Sequence, residues 1–129
     1  RDEKEVEYPD SPSGMPGVQT LVPIMLNHVN NEKLTLQRFV ELTSYNPSRL
    51  FKIKGKGQIE IGFDADFTVI DINRERVITN DWIASKCSWT PYNNMKVKGW
   101  PVMTIIRDNI VMKDDIVFDP LGEPMSFVR

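Results

Sequence analysis

The chain has 129 residues, with 16 Lys and Arg against 18 Asp and Glu, one His and one Cys. That length suits one domain with a buried core, and 40 % apolar with 26 % charged residues is a globular composition. A net charge of −2 gives no basic surface for nucleic acid or an anionic membrane. One Cys excludes an intrachain disulfide and a Cys-rich zinc site, and one His excludes a multi-histidine metal centre built from this chain alone.

Residues 1 to 10 hold five acidic and two basic residues and read as a loop or tail. The opening Arg-Asp-Glu-Lys-Glu has neither a Met nor a signal peptide, which suggests a cut polypeptide. No apolar run approaches the roughly 18 residues of a membrane span. Ser11-Pro12-Ser13-Gly14-Met15-Pro16-Gly17 is a turn segment whose glycines let backbone approach a ligand. A first helix follows, capped by Thr20, with Pro23 in its first turn and Val18, Leu21, Val22, Met25, Leu26 and Val29 as its apolar stripe. Asn30-Asn31 ends it, and His28 near its C-terminus reads as structural.

Thr35 caps a second helix with Leu36, Phe39 and Val40 inward and Leu34 stapled onto Phe39. Asn46-Pro47 restarts a short helix, with Asn46 as cap and Leu50 and Phe51 pointing inward. At Gly55-Lys56-Gly57 the period changes from 3.6 to 2. Strands are expected at Gln58–Ile61, at Phe67–Ile70 (apolar enough to be buried) and at Arg76–Thr79, with a turn at Gly62–Asp66. Trp100–Arg107 and Ile110–Lys113 flank Asp108-Asn109, a two-residue hairpin loop. Residues 80–99 read as a partly structured excursion and Phe118–Arg129, with Pro120, as an extended arm. A helix pair cannot cover both faces of these strands, so the β part wants partner strands that the chain does not contain.

The residues alone assemble no active site. Asp64 and Asp66 are one residue apart in a turn, but no His or Cys lies near them, and turn carboxylates commonly bond backbone N–H groups. Asp114-Asp115 reads as a solvated turn. Cys87 has only the distant His28 as a base and reads as a buried or half-buried thiol. Ser85, Ser88 and Thr90 form no nucleophile elbow. Gly55-Lys56-Gly57 lacks the ending of a phosphate loop. Three tryptophans could make a binding face or equally a core.

The order of these pieces does resemble a family. Ser11 to Thr20 resembles the loop and helix start after the last barrel strand of dihydroorotases, and Asn46-Pro47-Ser48-Arg49-Leu50-Phe51 is similar to their Asn-Pro-Ala-Arg-Leu-Phe segment. Lys56-Gly57-Gln58-Ile59 through Gly62-Phe63-Asp64-Ala65-Asp66-Phe67 resembles a strand-turn-strand of the wider amidohydrolase superfamily, with Phe67 in place of the usual Leu. Trp89-Thr90-Pro91-Tyr92, Lys98-Gly99-Trp100-Pro101-Val102 and Gly122-Glu123-Pro124 complete the likeness, which is nearest to one bacterial branch.

The resemblance implies an α/β fold, the C-terminal fragment of a metal-dependent (β/α)8 TIM-barrel hydrolase. Residues 1–53 would be the last βα loop and C-terminal helices of the barrel, and residues 54–129 the C-terminal strands of a flanking composite β-sandwich with an extended tail. A whole barrel needs about 250 residues. The implied activity is that of a cytoplasmic zinc-dependent dihydroorotase, interconverting dihydroorotate and N-carbamoyl-aspartate in pyrimidine biosynthesis. Its two zinc ions, bridged by a carboxylated lysine, would be held upstream. The chain alone is therefore expected to contain no metal ligands or catalytic residues, to bind no zinc and to show no activity. The backbone of Pro12, Ser13 and Gly14 would line the substrate pocket. Implied partners are the small-molecule substrate, the remainder of the barrel and, given the family's frequent dimers, a second copy; nucleic acid and membrane are not among them. A non-catalytic dihydroorotase-like partner protein, a dihydropyrimidinase or allantoinase, and an independent small binding module remain alternatives.

Overall fold

Helices occupy the chain up to Leu50 and the strands follow from Phe67. A computed structural model describes residues 4–119 and 122–128. The ends of the expected tails, Arg1, Pro120 and Arg129 among them, lie outside the described residues.

Helix α1 spans Leu21–Asn30, as its pattern predicts, but it presents a different face to the core. Pro23 and Leu26 are buried while Leu21 and Val18 of the expected stripe are exposed, Val18 at 95 %. The inward face carries Asn27 and Asn30, polar residues that the apolar stripe leaves out. Thr20 occupies the N-cap position of α1, but its side chain makes no capping hydrogen bond. Its hydroxyl is buried and donates back to the Gly17 carbonyl at 3.2 Å.

Helix α2 (Leu36–Val40) begins where expected, with Thr35 Oγ1 accepting from Arg38 N at 3.1 Å. Only part of its stripe turns inward: Phe39 is buried, Leu36 and Val40 are exposed. The helix does not stop before Pro47. It passes through a π turn at Glu41–Tyr45 into α3 (Asn46–Leu50), and Asn46 is helical rather than a cap. Proline has no N–H and its ring crowds the carbonyl four residues back, so a widened turn lets the helix continue through it. Leu50 and Phe51, expected inside, are exposed at 76 % and 62 %, because no described element covers that side of α3.

The expected strand at Gln58–Ile61 does not form. Ile59 and Ile61 are fully exposed, and no described strand lies beside them to satisfy their backbone. The turn at Gly62–Asp66 leads into β1 (Phe67–Val77), one strand where two were expected. Its Phe67–Ile70 portion is not buried, and from Val69 to Val77 the strand alternates between exposed and half-buried residues, in keeping with a sheet covered on one face. Strands β2 (Lys96–Ile106), β3 (Asn109–Lys113) and β4 (Ile116–Val117) follow in an antiparallel sheet of order β1-β2-β3-β4.

The β2–β3 loop is Arg107-Asp108 rather than Asp108-Asn109, since Ile106 pairs with Asn109. Both loop residues have positive φ (46° and 65°), the hairpin geometry whose twist matches the strands. Asp114 and Asp115 repeat that geometry between β3 and β4. Residues 80–95 hold a 3-10 turn at Asn80–Trp82 and otherwise turns and bends. The arm returns to the helices, where Phe127 bridges Ile53, Ser126 O accepts from Lys54 N at 2.9 Å and Val128 N donates to Lys52 O at 2.8 Å.

The core sits between α1 and β2. Ile78, Val97 and Trp100 are buried, with Ile24, Trp82, Tyr92 and Met95 packed against them. Gly99 has φ +100°, and a Cβ there would lie 2.5 Å from Leu26 Cβ, so glycine lets α1 lie against the strand. Two register shifts interrupt the β1–β2 ladder: at the first the extra residue is Val102 of β2, and at the second β1 bulges between Asp71 and Glu75. This bulge turns the Ile72 carbonyl away from the ladder, where Asn30 Nδ2 donates to it at 2.9 Å.

Candidate functional site

Residues 11–17 form no helix or strand, as a segment with two prolines and two glycines should not. Pro12, Ser13 and Gly14 are consecutive and exposed, and the Lys4 ammonium donates to the Pro12 carbonyl. Gly14 has φ +93°, with open space where a Cβ would point. Backbone on that side is therefore reachable by a ligand.

The loop closes on α1 through Gly17, whose carbonyl accepts from Leu21 N at 3.0 Å. It faces a second segment across a cavity of about 350 Å³ lined by Pro16, Gly17, Val18, Gln19, Thr20, Ile83, Ala84 and Ser85. Gln19 crosses between the two: its Nε2 donates to the Trp82 carbonyl at 2.8 Å and its Oε1 accepts from Ala84 N at 2.9 Å.

Asp64 and Asp66 make an ion cluster. Lys56 Nζ pairs with Asp64 Oδ2 at 2.8 Å and with Asp66 Oδ2, while Asp66 Oδ1 accepts from Arg107 N at 2.9 Å. Arg107 adds Glu123 at 3.3 Å. The hydrogen bonds to Asp64 and then Asp66 hold the Lys56 ammonium above its ordinary pKa. Burial pushes the Asp66 carboxyl up, but the Lys56 and Arg107 hydrogen bonds outweigh it and leave a net lowering. These carboxylates are committed to tying the Gly55–Asp66 loop to the β2–β3 hairpin.

Asp115 is not the solvated turn residue that its neighbourhood predicts. Its Oδ1 accepts from Trp82 Nε1 at 3.1 Å and Trp100 Nε1 at 3.2 Å, and its Oδ2 pairs with Arg76 at 2.8 Å. The two indoles lie 4.6 Å apart, tilted by 50°, and Arg76 stacks over Trp100. The available signal was chemical. Two tryptophans in a core bring two N–H groups that need acceptors, and a carboxylate can serve both. Gln19 had no comparable signal.

Cys87 is half-buried and hydrogen-bonded to Ser85 Oγ at 3.2 Å and to the Trp89 carbonyl at 3.7 Å. The Ser85 contact chiefly lowers its thiol pKa, yet neither partner is a base, so no activated nucleophile results. His28 sits in the last turn of α1, where the Lys33 N–H reaches its carbonyl. Among the described residues no group of three or more His, Cys, Asp or Glu could hold a metal ion. The described residues therefore do not fit a two-zinc centre. No described helix is long and apolar enough to cross a membrane.

Comparison with known proteins gives these features a context. Residues 14–111 match the Amidohydrolase family. The chain is 46 % identical to a dihydroorotase of Pyrococcus furiosus over 86 % of its own length and 27 % of that protein. It is 40 % identical to a dihydroorotase of Methanosphaera stadtmanae over 91 % of its length and 27 % of that protein. Neither relative singles out the bacterial branch expected from the motifs. Among solved structures, the L-hydantoinase (dihydropyrimidinase) of Arthrobacter aurescens superposes with a TM-score of 0.81 at 30 % identity, covering 85 % of this chain and 25 % of that one. The chain thus spans about a quarter of the length of the curated relatives it matches, and its helices and sheet are a piece of a TIM-barrel hydrolase fold. With most of its residues inside the match, the chain belongs to the amidohydrolase family.

Proposed function

We propose that this chain is the C-terminal part of a dihydroorotase, an enzyme that reversibly opens the cyclic amide of dihydroorotate to N-carbamoyl-aspartate. The observation that carries the reading is the 46 % identity to a dihydroorotase over nearly the whole chain, against 30 % for the superposed hydantoinase. Residues 1–53 would close the barrel and residues 54–129 would supply strands to the β-sandwich beside it. Exposed Leu50 and Phe51 on α3, and Ile59 and Ile61 beyond it, are the apolar surface such a larger body would cover.

In that enzyme the zinc ions and their carboxylated lysine would be held by residues outside this chain and would supply Lewis-acid chemistry. This chain supplies a wall of the pocket. The Pro12–Gly14 backbone offers polar groups to a planar ring, and the absent Cβ at Gly14 lets the ring approach. A cytoplasmic enzyme that can pair as a homodimer completes the reading.

The test is a substrate comparison with the full-length protein. Dihydroorotate should be interconverted with N-carbamoyl-aspartate far faster than hydantoin, dihydrouracil or allantoin are opened. A preference for any of those three would replace the proposal with another cyclic amidohydrolase, and inactivity towards all four with a non-catalytic partner protein.

A further inference from the structure

The substrate loop is tied to the sheet by a short chain of contacts. At the core end, Trp100 is buried in β2 and shares the Asp115 carboxylate with Trp82. Trp82 closes the 3-10 turn Asn80–Trp82, and its indole lies against Trp100. That turn and the residues after it therefore have a fixed position on the sheet. Gln19 then bonds the Trp82 carbonyl and the Ala84 N–H, two backbone groups two residues apart. An adjacent β-strand would satisfy a neighbour's backbone in the same way, with one donor and one acceptor. A primary amide offers a donor and an acceptor on neighbouring atoms, and Asn is one methylene shorter than Gln.

Gln19 lies two residues after Gly17, where the loop ends, and beside Thr20, whose buried hydroxyl holds the Gly17 carbonyl. Prolines at 12 and 16 fix their own φ and restrict the residue before each, so the loop is stiff. A stiff loop pinned at one end carries that position along its length, from Gln19 to Gly14.

We propose that Gln19 is a positioning residue for substrate binding. By clamping the Trp82–Ala84 backbone it sets where the Pro12–Gly14 backbone stands in the pocket. The proposal rests on the dihydroorotase reading above. The clamp bridges two surface segments across a cavity rather than filling the core, so its loss should displace the loop more than it destabilises the fold. Displacements on the order of 1 Å are costly to substrate binding and orientation.

The experiment uses the full-length enzyme with Gln19→Met, which keeps the length of the side chain and removes both hydrogen bonds. Gln19→Glu is its companion, keeping the acceptor for Ala84 N and losing the donor to the Trp82 carbonyl. KM and kcat for dihydroorotate are measured beside the thermal midpoint. Gln19→Met should raise KM about tenfold with kcat changed by less than about threefold. Gln19→Glu should raise KM as well, and both variants should melt within about 2 °C of the wild type. Wild-type KM in Gln19→Met overturns the proposal. So does a fall in kcat with a lowered midpoint, or failure of both variants to fold, since each would show a structural role. A wild-type enzyme that does not turn over dihydroorotate would instead sink the reading beneath it.

Discussion

The side-chain amide of Asn30 donates to the carbonyl of Lys98 at 2.9 Å, so the last residue of α1 is hydrogen-bonded near the start of the neighbouring strand β2. The same nitrogen reaches the Ile72 carbonyl, and one turn earlier Asn27 Oδ1 accepts from Lys98 N at 3.1 Å. Two asparagines thus satisfy backbone of both β1 and β2 where the bulge interrupts their ladder. Asn30→Leu keeps the size of the side chain and strands two carbonyls. It should destabilise the protein by about 2 kcal/mol, read by denaturant unfolding. Asn30→Asp should not restore stability, because a carboxylate cannot donate to a carbonyl.

Gly99 is the steric counterpart of that docking. Gly99→Ala meets both a φ of +100° and Leu26 Cβ at 2.5 Å, so α1 has to move away from β2. The expected loss is about 2–3 kcal/mol. Leu26→Ala combined with Gly99→Ala would not relieve it, because alanine retains the Cβ that collides. Unfolding curves of the single and double variants check this.

Asp115→Ala removes the acceptor of two indole N–H groups and the partner of Arg76. The expected cost is about 2–3 kcal/mol, with a change in tryptophan emission because the acceptor at both rings is lost. Asp115→Asn keeps an oxygen for the indoles and should cost less than Asp115→Ala. Fluorescence-monitored unfolding of the two variants separates the hydrogen bonds from the charge.

The Lys56 cluster predicts a pH dependence with a definite sign. The ammonium pKa is raised in the folded state, so its contribution is complete at neutral pH and is lost as pH rises through the raised value. The Asp66 carboxyl is net lowered, so its contribution is complete above the ordinary carboxylate range and is lost as pH falls through the lowered value. Lys56→Met should cost about 1 kcal/mol near neutrality, a modest figure because Asp64 is 39 % exposed. That gap should hold between about pH 5 and 9 and close below about pH 4, as thermal melts across the range would show.

The sequence made the order of elements legible and their packing much less so. Thr35 as a cap rests on local chemistry, and the structure keeps it, whereas the change of period at Gly55 opens onto an irregular loop and strands begin only at Phe67. What failed depended on neighbours. The face of α1 could not be read from its apolar stripe because Asn27 and Asn30, ordinarily surface residues, are spent on a bulged sheet. Pro47 signals a helix start in most contexts, and only a π turn allows it inside a longer helix. The β2–β3 loop shifted by one residue because Arg107, which carries no turn signature, accepts a positive φ beside Asp66. For the candidate site, the loop with Pro12, Ser13 and Gly14 was visible in composition. The clamp from Gln19 was not, since its partners are backbone groups sixty-odd positions away.

One side of β1 has no neighbour among the described strands. An eleven-residue edge invites any extended segment to join it, including the same strand of another molecule. The bulge between Asp71 and Glu75 divides that edge. Its regular stretches run from Phe67 to Asp71 and from Glu75 to Val77, so a straight strand would lose its pairing past Asp71. The bulge that feeds a carbonyl to Asn30 on one side therefore also shortens the straight edge that β1 offers on the other.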